Sequence, residues 1–429
     1  MEIYLICLAV ALIGGLMLSR LTKKIGLPAV TAYLAAGLLM GPYFLGRLGI
    51  SGLGFNSLDQ VEGMNILTQA ALGFIAFAMG NEFRLSQLKT FGSKAITIGI
   101  LQAVITTVLV DLVLIGVHLL FPDKLSIASA ITLGAIAAAT APAATLMVVR
   151  QYKADGPLTK LLLLVVAIDD AIGLLLFSVS FGVATTLSSG EISVLSIIAE
   201  PLVEIGLSVV LGAVMGWLLN WVERFFHSRS KRMSVSVAFV LLTVGLSMLE
   251  FEIGPVRCGF SLLLVCMITG TVFCNICPTS EELMGRVESW TTPLNILFFV
   301  ISGAELDLQV IANPVTLLVG VIYIIARSAG KCLGANVSCR LTHCSKTITD
   351  HLGITLLPQA GVALGMAITA ANLPDGATVR NVVLFAVLVY ELVGPSLTKR
   401  SLTLAGEINP EGKTSARIHN QPKPPLNIH

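Results

Sequence analysis

Apolar residues run for about 18–30 positions at a time along most of this 429-residue chain. That is the length a helix needs to cross a bilayer. The segments fall at about 3–20, 27–46, 65–82, 95–121, 125–149, 158–187, 200–224, 233–250, 258–277, 288–305, 314–339, 348–371 and 378–398. Only 12% of the residues are charged, about half the roughly 25% of soluble domains. The chain therefore reads as an all-α polytopic membrane protein with about 13 transmembrane helices, and a large soluble helical protein is excluded.

The basic residues test that count. Of the 27 Lys and Arg residues, 21 fall in alternate loops that would share one side, among them Lys23, Lys24, Arg84, Arg150, Lys153, Arg229, Arg232, Arg340 and Arg400. Arg47, Lys124, Arg257 and Arg380 fall in the opposite set. The asymmetry predicts a multi-pass cell-membrane protein with its N-terminus outside and its C-terminus in the cytoplasm. The first apolar stretch, Ile3 to Leu18, has neither a basic leader nor a small-residue cleavage site, so it reads as the first span. The eight cysteines suggest no disulfide framework, and Cys274 and Cys277 have no second pair or His cluster to make a metal site. No Gly-rich phosphate loop is present, and a net charge of +2 gives no reason to expect nucleic acid.

Against this background, Val165 to Leu176 stands out, because it carries Asp169 and Asp170 side by side among apolar residues. One ionised group at mid-bilayer costs at least ~2.5–3.5 kcal/mol on insertion scales, so an intramembrane carboxylate is by default a functional candidate. Arg327 and Lys331 supply charge of the other sign in the eleventh segment, four apart and so on one helix face. They either pair with the aspartates or snorkel toward the surface near Arg340. Gly330 and Gly334 beside Lys331 permit close helix contact. Pro142 interrupts the fifth segment in Gly134 to Thr145 and frees the carbonyl of Ala138. The twelfth segment has a matching interruption at Leu356 to Gly365, with Pro358 and Gln359 inside it. Segments four to six and eleven to thirteen begin seven spans apart, so they have opposite orientation, as an inverted repeat requires. Paired interruptions of this kind point to a midplane ion site, with half-helix dipoles helping to place charge there. Two carboxylates, a lysine and free carbonyls make a hard oxygen site suited to a small cation or to protons. Burial and like charge resist simultaneous ionisation of both aspartates, so protons and a metal cation compete for them.

These residues resemble the monovalent cation:proton antiporter-2 family. Leu27 to Pro42 is similar to its second-span signature, Gly73 to Phe83 to its third, Thr140-Ala141-Pro142 to its broken helix and Ile168-Asp169-Asp170 to its acidic pair. Leu297 to Leu308, the Gly330-Lys331 helix, Leu357 to Gly365 and Glu391 to Pro395 complete the likeness over residues 1–405. The resemblance implies core helices within 95–187 and 314–398 that move as an elevator, with the remaining helices as a dimerisation scaffold in a homodimer. Residues 406–429 would form a short cytoplasmic tail. Members with two aspartates resemble electrogenic sodium/proton antiporters. By that likeness Asp170 carries the cation (sodium or lithium) and protons, Asp169 pairs with Lys331 and releases it on sodium binding, and Thr140 completes the site. Ala141 departs from members that are acidic there.

Gln359, Arg327 and Glu391 are secondary candidates, with Glu391 a partner for Arg327. Asp111 reads as structural or as a mark of water access. Glu200 and Glu204 read as interfacial, and Glu82 as a cap or a partner for the Arg84 loop. The expected function is secondary active exchange of a monovalent cation for protons across the bilayer, with no resident cofactor. The alternatives are a potassium/proton antiporter and, further off, a non-transporting sensor or a channel. Nothing in the spans has the spacing of an enzyme's catalytic groups.

Overall fold

A computed structural model describes residues 2–408, apart from 51, 123–124, 190–193, 250, 254–255, 307–313, 371–372 and 374. The N-terminal part comprises α1 (Glu2–Thr22), α2 (Ala29–Met40), α3 (Leu58–Glu62) and α4 (Asn65–Gly80). The first trio follows as α5 (Leu85–Leu120), the half-helices α6 (Ile127–Ile136) and α7 (Pro142–Gln151), and α8 (Pro157–Ser189). Next come α9 (Val194–Glu223), α10 (Arg229–Ser247), the short strands β1 (Phe251–Ile253) and β2 (Val256–Cys258), α11 (Leu262–Ile276) and α12 (Ser280–Glu305). The second trio is α13 (Pro314–Leu341), the half-helices α14 (Lys346–Thr355) and α15 (Gly361–Thr369), and α16 (Gly376–Leu404).

Each of the thirteen apolar segments coincides with one helix or one pair of half-helices. Among the described residues, eight helices are long and apolar enough to span a bilayer. Among the described residues the fold is helical except for the antiparallel β1–β2 ladder, in which Phe251 pairs with Cys258. The side chains of Glu82 and Glu200, and the tail from residue 409, lie outside the described residues.

The first interruption has a local cause. Pro142 opens α7 at its first position, where its missing N–H costs nothing. The ring forces Ala141 out of the helical region, to φ −89° and ψ 103°. Four residues earlier its steric bulk leaves the Ala138 carbonyl without a helical partner. The outer ends of α6 and α14 have matching serine caps: Ser126 accepts from Ser129 N and Ser345 from Ile348 N.

The two trios meet along α5 and α13. A Cβ at Gly330 would lie 3.0 Å from Thr106 Cα, and one at Gly334 would lie 2.9 Å from Gln102 Cα. Glycine lets the backbones touch there. Rising numbers on α13 meet falling numbers on α5, and the series continues where Lys94 Nζ donates to His343 O. The first helices of the trios are therefore antiparallel, which fits an inverted repeat.

Carboxylates at the two ends of α16 tie it to the first trio. Asp375, just before α16, accepts from Ser126 N and Ser126 Oγ at 2.8 Å and from Ser129 Oγ, so it caps α6. Glu407, just after α16, accepts from Leu158 N, Thr159 N and Thr159 Oγ1, each at 2.7 Å, so it caps α8. A carboxylate at a helix N-terminus satisfies orphan donors and meets the positive end of the dipole. Burial alone would push the Asp375 carboxyl up. The hydrogen bonds from Ser129 and from the backbone and hydroxyl of Ser126 outweigh it and hold the group below the usual range.

Candidate functional site

The two interrupted segments cross, and Ala141 N in the first break donates to Pro358 O in the second at 2.8 Å. Arg327 of α13 pins the crossing. Its Nε donates to Ala137 O at 3.0 Å, its Nη2 to Ala139 O at 2.7 Å and its Nη1 to Leu357 O at 2.7 Å. These carbonyls follow the C-terminal ends of α6 and α14, where a cation is favoured by both dipoles. The guanidinium also lies 4.5 Å from the ring centre of Tyr390, a cation–π distance. Arg327 is fully buried, so it does not snorkel.

Nor does Arg327 pair with Glu391. Tyr390 is the α16 residue that stacks on Arg327, and the next residue along a helix points about 100° away. Glu391 is buried. Gln359 belongs to the crossing: its Nε2 donates to Ile136 O at 3.0 Å and to Tyr323 Oη at 3.1 Å, and its Oε1 has no partner.

One turn beyond Arg327, Lys331 is also fully buried. Its Nζ donates to Asp169 Oδ2 at 2.9 Å, Gln102 Oε1 at 3.0 Å, Ala138 O at 2.6 Å and Thr140 Oγ1 at 2.9 Å. The Thr140 hydroxyl in turn donates to Asp169 Oδ2 at 2.6 Å. The carbonyl freed by Pro142 thus becomes a ligand for the lysine. Asp169 is fully buried too, and its Oδ1 accepts from Gln102 Nε2. Asp169, Lys331, Thr140 and Gln102 form one closed network in which each partner satisfies another, the condition for keeping a salt bridge in a dry interior.

Asp170 is different. A neighbouring helical residue points about 100° from Asp169, and Asp170 does not share the lysine. Its Oδ1 is buried and has no hydrogen-bond partner. The residue is half-buried. One turn further along α8, Gly173 lies against the first break, where a Cβ would be 3.7 Å from Ala139 Cα. Asp170 is therefore an acceptor without a donor on the face of α8 that looks toward the crossing.

Gln102 is the residue that reading the sequence passed over. It carries no formal charge, so neither of the strong signals within a span, charge and proline, marks it. An amide inside the apolar stretch 95–121, one turn before Thr106, was the available signal. Tyr323 and Tyr390 were missed for a similar reason, since a tyrosine in a span is ordinary. Asp111 sits over α6, where a Cβ at Gly134 would collide with its Oδ1, and that oxygen is buried without a partner.

The fold matches solved structures of the sodium proton antiporter MjNhaP1 from Methanocaldococcus jannaschii. One, determined at pH 8, aligns with a TM-score of 0.69 at 19% identity, covering 94% of this chain and 97% of that one. A second, an electron-microscopy structure, aligns with a TM-score of 0.73 at 16% identity, covering 94% and 98%. A stretch of 96 residues is 38% identical to K(+) efflux antiporter 5 from Arabidopsis thaliana, covering 22% of this chain and 14% of that protein. The family described as "Sodium/hydrogen exchanger, transmembrane" matches residues 8–403. With these helices, this crossing and that match over nearly its whole length, the chain is a multi-pass membrane protein that belongs to the transmembrane sodium/hydrogen exchanger family.

Proposed function

We propose that the chain is a secondary active antiporter exchanging sodium (or lithium) for protons by alternating access, with net charge movement. Asp170 carries the cation. The supporting observation is its buried, partnerless Oδ1 beside a crossing whose backbone carbonyls already hold the Lys331 ammonium. A cation approaching Asp170 competes with a proton for the same carboxylate, so exchange needs no further chemistry. Recruiting Asp169 as a second ligand requires Lys331 to let go. The lysine would then be held by Gln102 Oε1, Ala138 O and Thr140 Oγ1, which already accept from it. If the released lysine gives up its proton, Asp170 and Lys331 together release two protons for one cation, and that imbalance is the physical basis for electrogenic exchange.

Arg327 and Gln359 keep the two breaks crossed while the site empties and fills. Helices within 95–187 and 314–398 form the moving core, and the others a scaffold through which two copies dimerise. The basic-loop asymmetry supports an external N-terminus and a cytoplasmic C-terminus.

The test is purified protein in liposomes with an imposed pH gradient, titrated with sodium, lithium and potassium. The account expects sodium and lithium to collapse the gradient and a membrane potential to change the rate. Potassium as the sole effective cation would favour the second reading, a potassium/proton exchanger, which the likeness to the plant potassium efflux antiporter supports.

A further inference from the structure

The inner end of the site-bearing helix α13 sets two free cysteines against each other across its cap. The helix closes in a double-bonded cap: Cys344 N donates to Cys339 O at 2.9 Å and His343 N to Arg340 O at 3.1 Å. His343 takes the left-handed conformation this cap needs, with φ 52°. Such a cap brings the side chain after the left-handed residue against the one three positions inside the helix end. Here those two residues are Cys344 and Cys339. Both are free cysteines. Cys339 is fully buried, whereas Cys344 is half-buried and reachable. Thr342 Oγ1 is 3.4 Å from Cys344 Sγ, and the Lys94 ammonium is held on the carbonyl of His343, the residue before it.

We propose that Cys339 and Cys344 are a reversible dithiol–disulfide site, oxidised by low-molecular-weight disulfides, which slows exchange by locking the α13–α14 corner. The Cys344 thiolate attacks a small disulfide, forming a mixed disulfide and releasing one small thiolate. The Cys339 sulfur, which the cap sets against it, then attacks Cys344 Sγ and expels the second. One S–S bond breaks and one forms, two electrons pass from the protein to the small disulfide, and the two thiol protons end on the released thiols. The second step is internal, so the burial of Cys339 does not impede it.

The corner matters because of what it joins. Cys339 lies two turns beyond Lys331 on the same helix, and Lys346 just past Cys344 begins α14, which leads into the second break. Lys94 fastens the same corner to α5, next to the helix turn that carries Gln102 two turns on. A covalent bridge across the cap removes the freedom of α13 and α14 to change their angle around the site.

The consequence for rate rests on the exchange function proposed above, whereas the chemistry does not. The full chain in liposomes is treated with glutathione disulfide, then mapped by mass spectrometry and assayed for exchange. The expected result is a peptide carrying Cys339 and Cys344 that is lighter by two hydrogens, and an exchange rate lower by at least about fivefold, the low end of ordinary couplings between sites. Dithiothreitol restores both. Cys344→Ser and Cys339→Ala each keep the reduced rate under oxidant. A glutathione adduct left on Cys344 with Cys339 still free overturns the proposal, and so does a disulfide that leaves the rate unchanged. Absence of exchange in the reduced protein would instead count against the antiporter reading, while the mass measurement would still decide the chemistry.

Discussion

At the scale of single residues, the site is a division of labour between two adjacent carboxylates. Asp169 is satisfied by Lys331, Thr140 and Gln102, and Asp170 has an oxygen that nothing satisfies. Removing one partner of a buried pair leaves the other charge uncompensated, at about 3–5 kcal/mol. Lys331→Ala should therefore lower the unfolding temperature in detergent markedly. Asp169→Asn combined with Lys331→Gln should lose less than the two single changes added together. Additive losses would mean that the 2.9 Å contact contributes no coupling. Gln102→Leu removes an acceptor for Lys331 and a donor to Asp169 at once, so a stability loss of about 1–3 kcal/mol is expected. Apparent sodium affinity should shift with it, which a sodium titration of exchange would detect.

At the scale of elements, two half-helix pairs are held crossed by one guanidinium. Arg327 reaches carbonyls on both breaks because its donors form a fork, and a lysine cannot do this from a single nitrogen. Arg327→Lys keeps the charge and should still lose most exchange, with lower thermal stability. Full activity in that variant would show that charge alone serves the crossing. The carboxylate caps on α16 make a second prediction, with a definite pH sense. The folded-state carboxyl of Asp375 lies below its ordinary value of 3.8, so its contribution is present above that value and fades as pH falls through the lower folded value. Asp375→Asn should thus be less stable than the parent at neutral pH, and the gap should close in acid. Unfolding temperatures measured across that range check it, and a gap that stayed constant would contradict the cap.

At the scale of the whole molecule, the helical segments and the two interruptions were legible because they are written in the two strongest sequence signals, long apolar runs and mid-span prolines. Asp169, Asp170 and Lys331 were legible as candidates because charge in a bilayer is costly and needs a partner, whereas Thr140 entered only through the family resemblance. Four features were not. The destination of Arg327 was read as a carboxylate or the surface, because sequence does not say that two broken helices will offer three carbonyls to it. Gln102 was hidden because it is uncharged. The capping roles of Asp375 and Glu407 depend on contacts made across more than 240 residues, which no local pattern announces. The small β1–β2 hairpin was likewise absent from the all-helical expectation.

The central claim is that Asp170 is where cation and proton compete, and it has a direct test. Asp170→Asn removes the charge with almost no change in size and leaves the Asp169–Lys331 pair in place. Reconstituted in liposomes beside the parent protein, it is predicted to show no sodium-dependent proton movement at any pH, while unfolding as a properly folded membrane protein. Sodium-dependent proton movement retained in that variant would contradict the account.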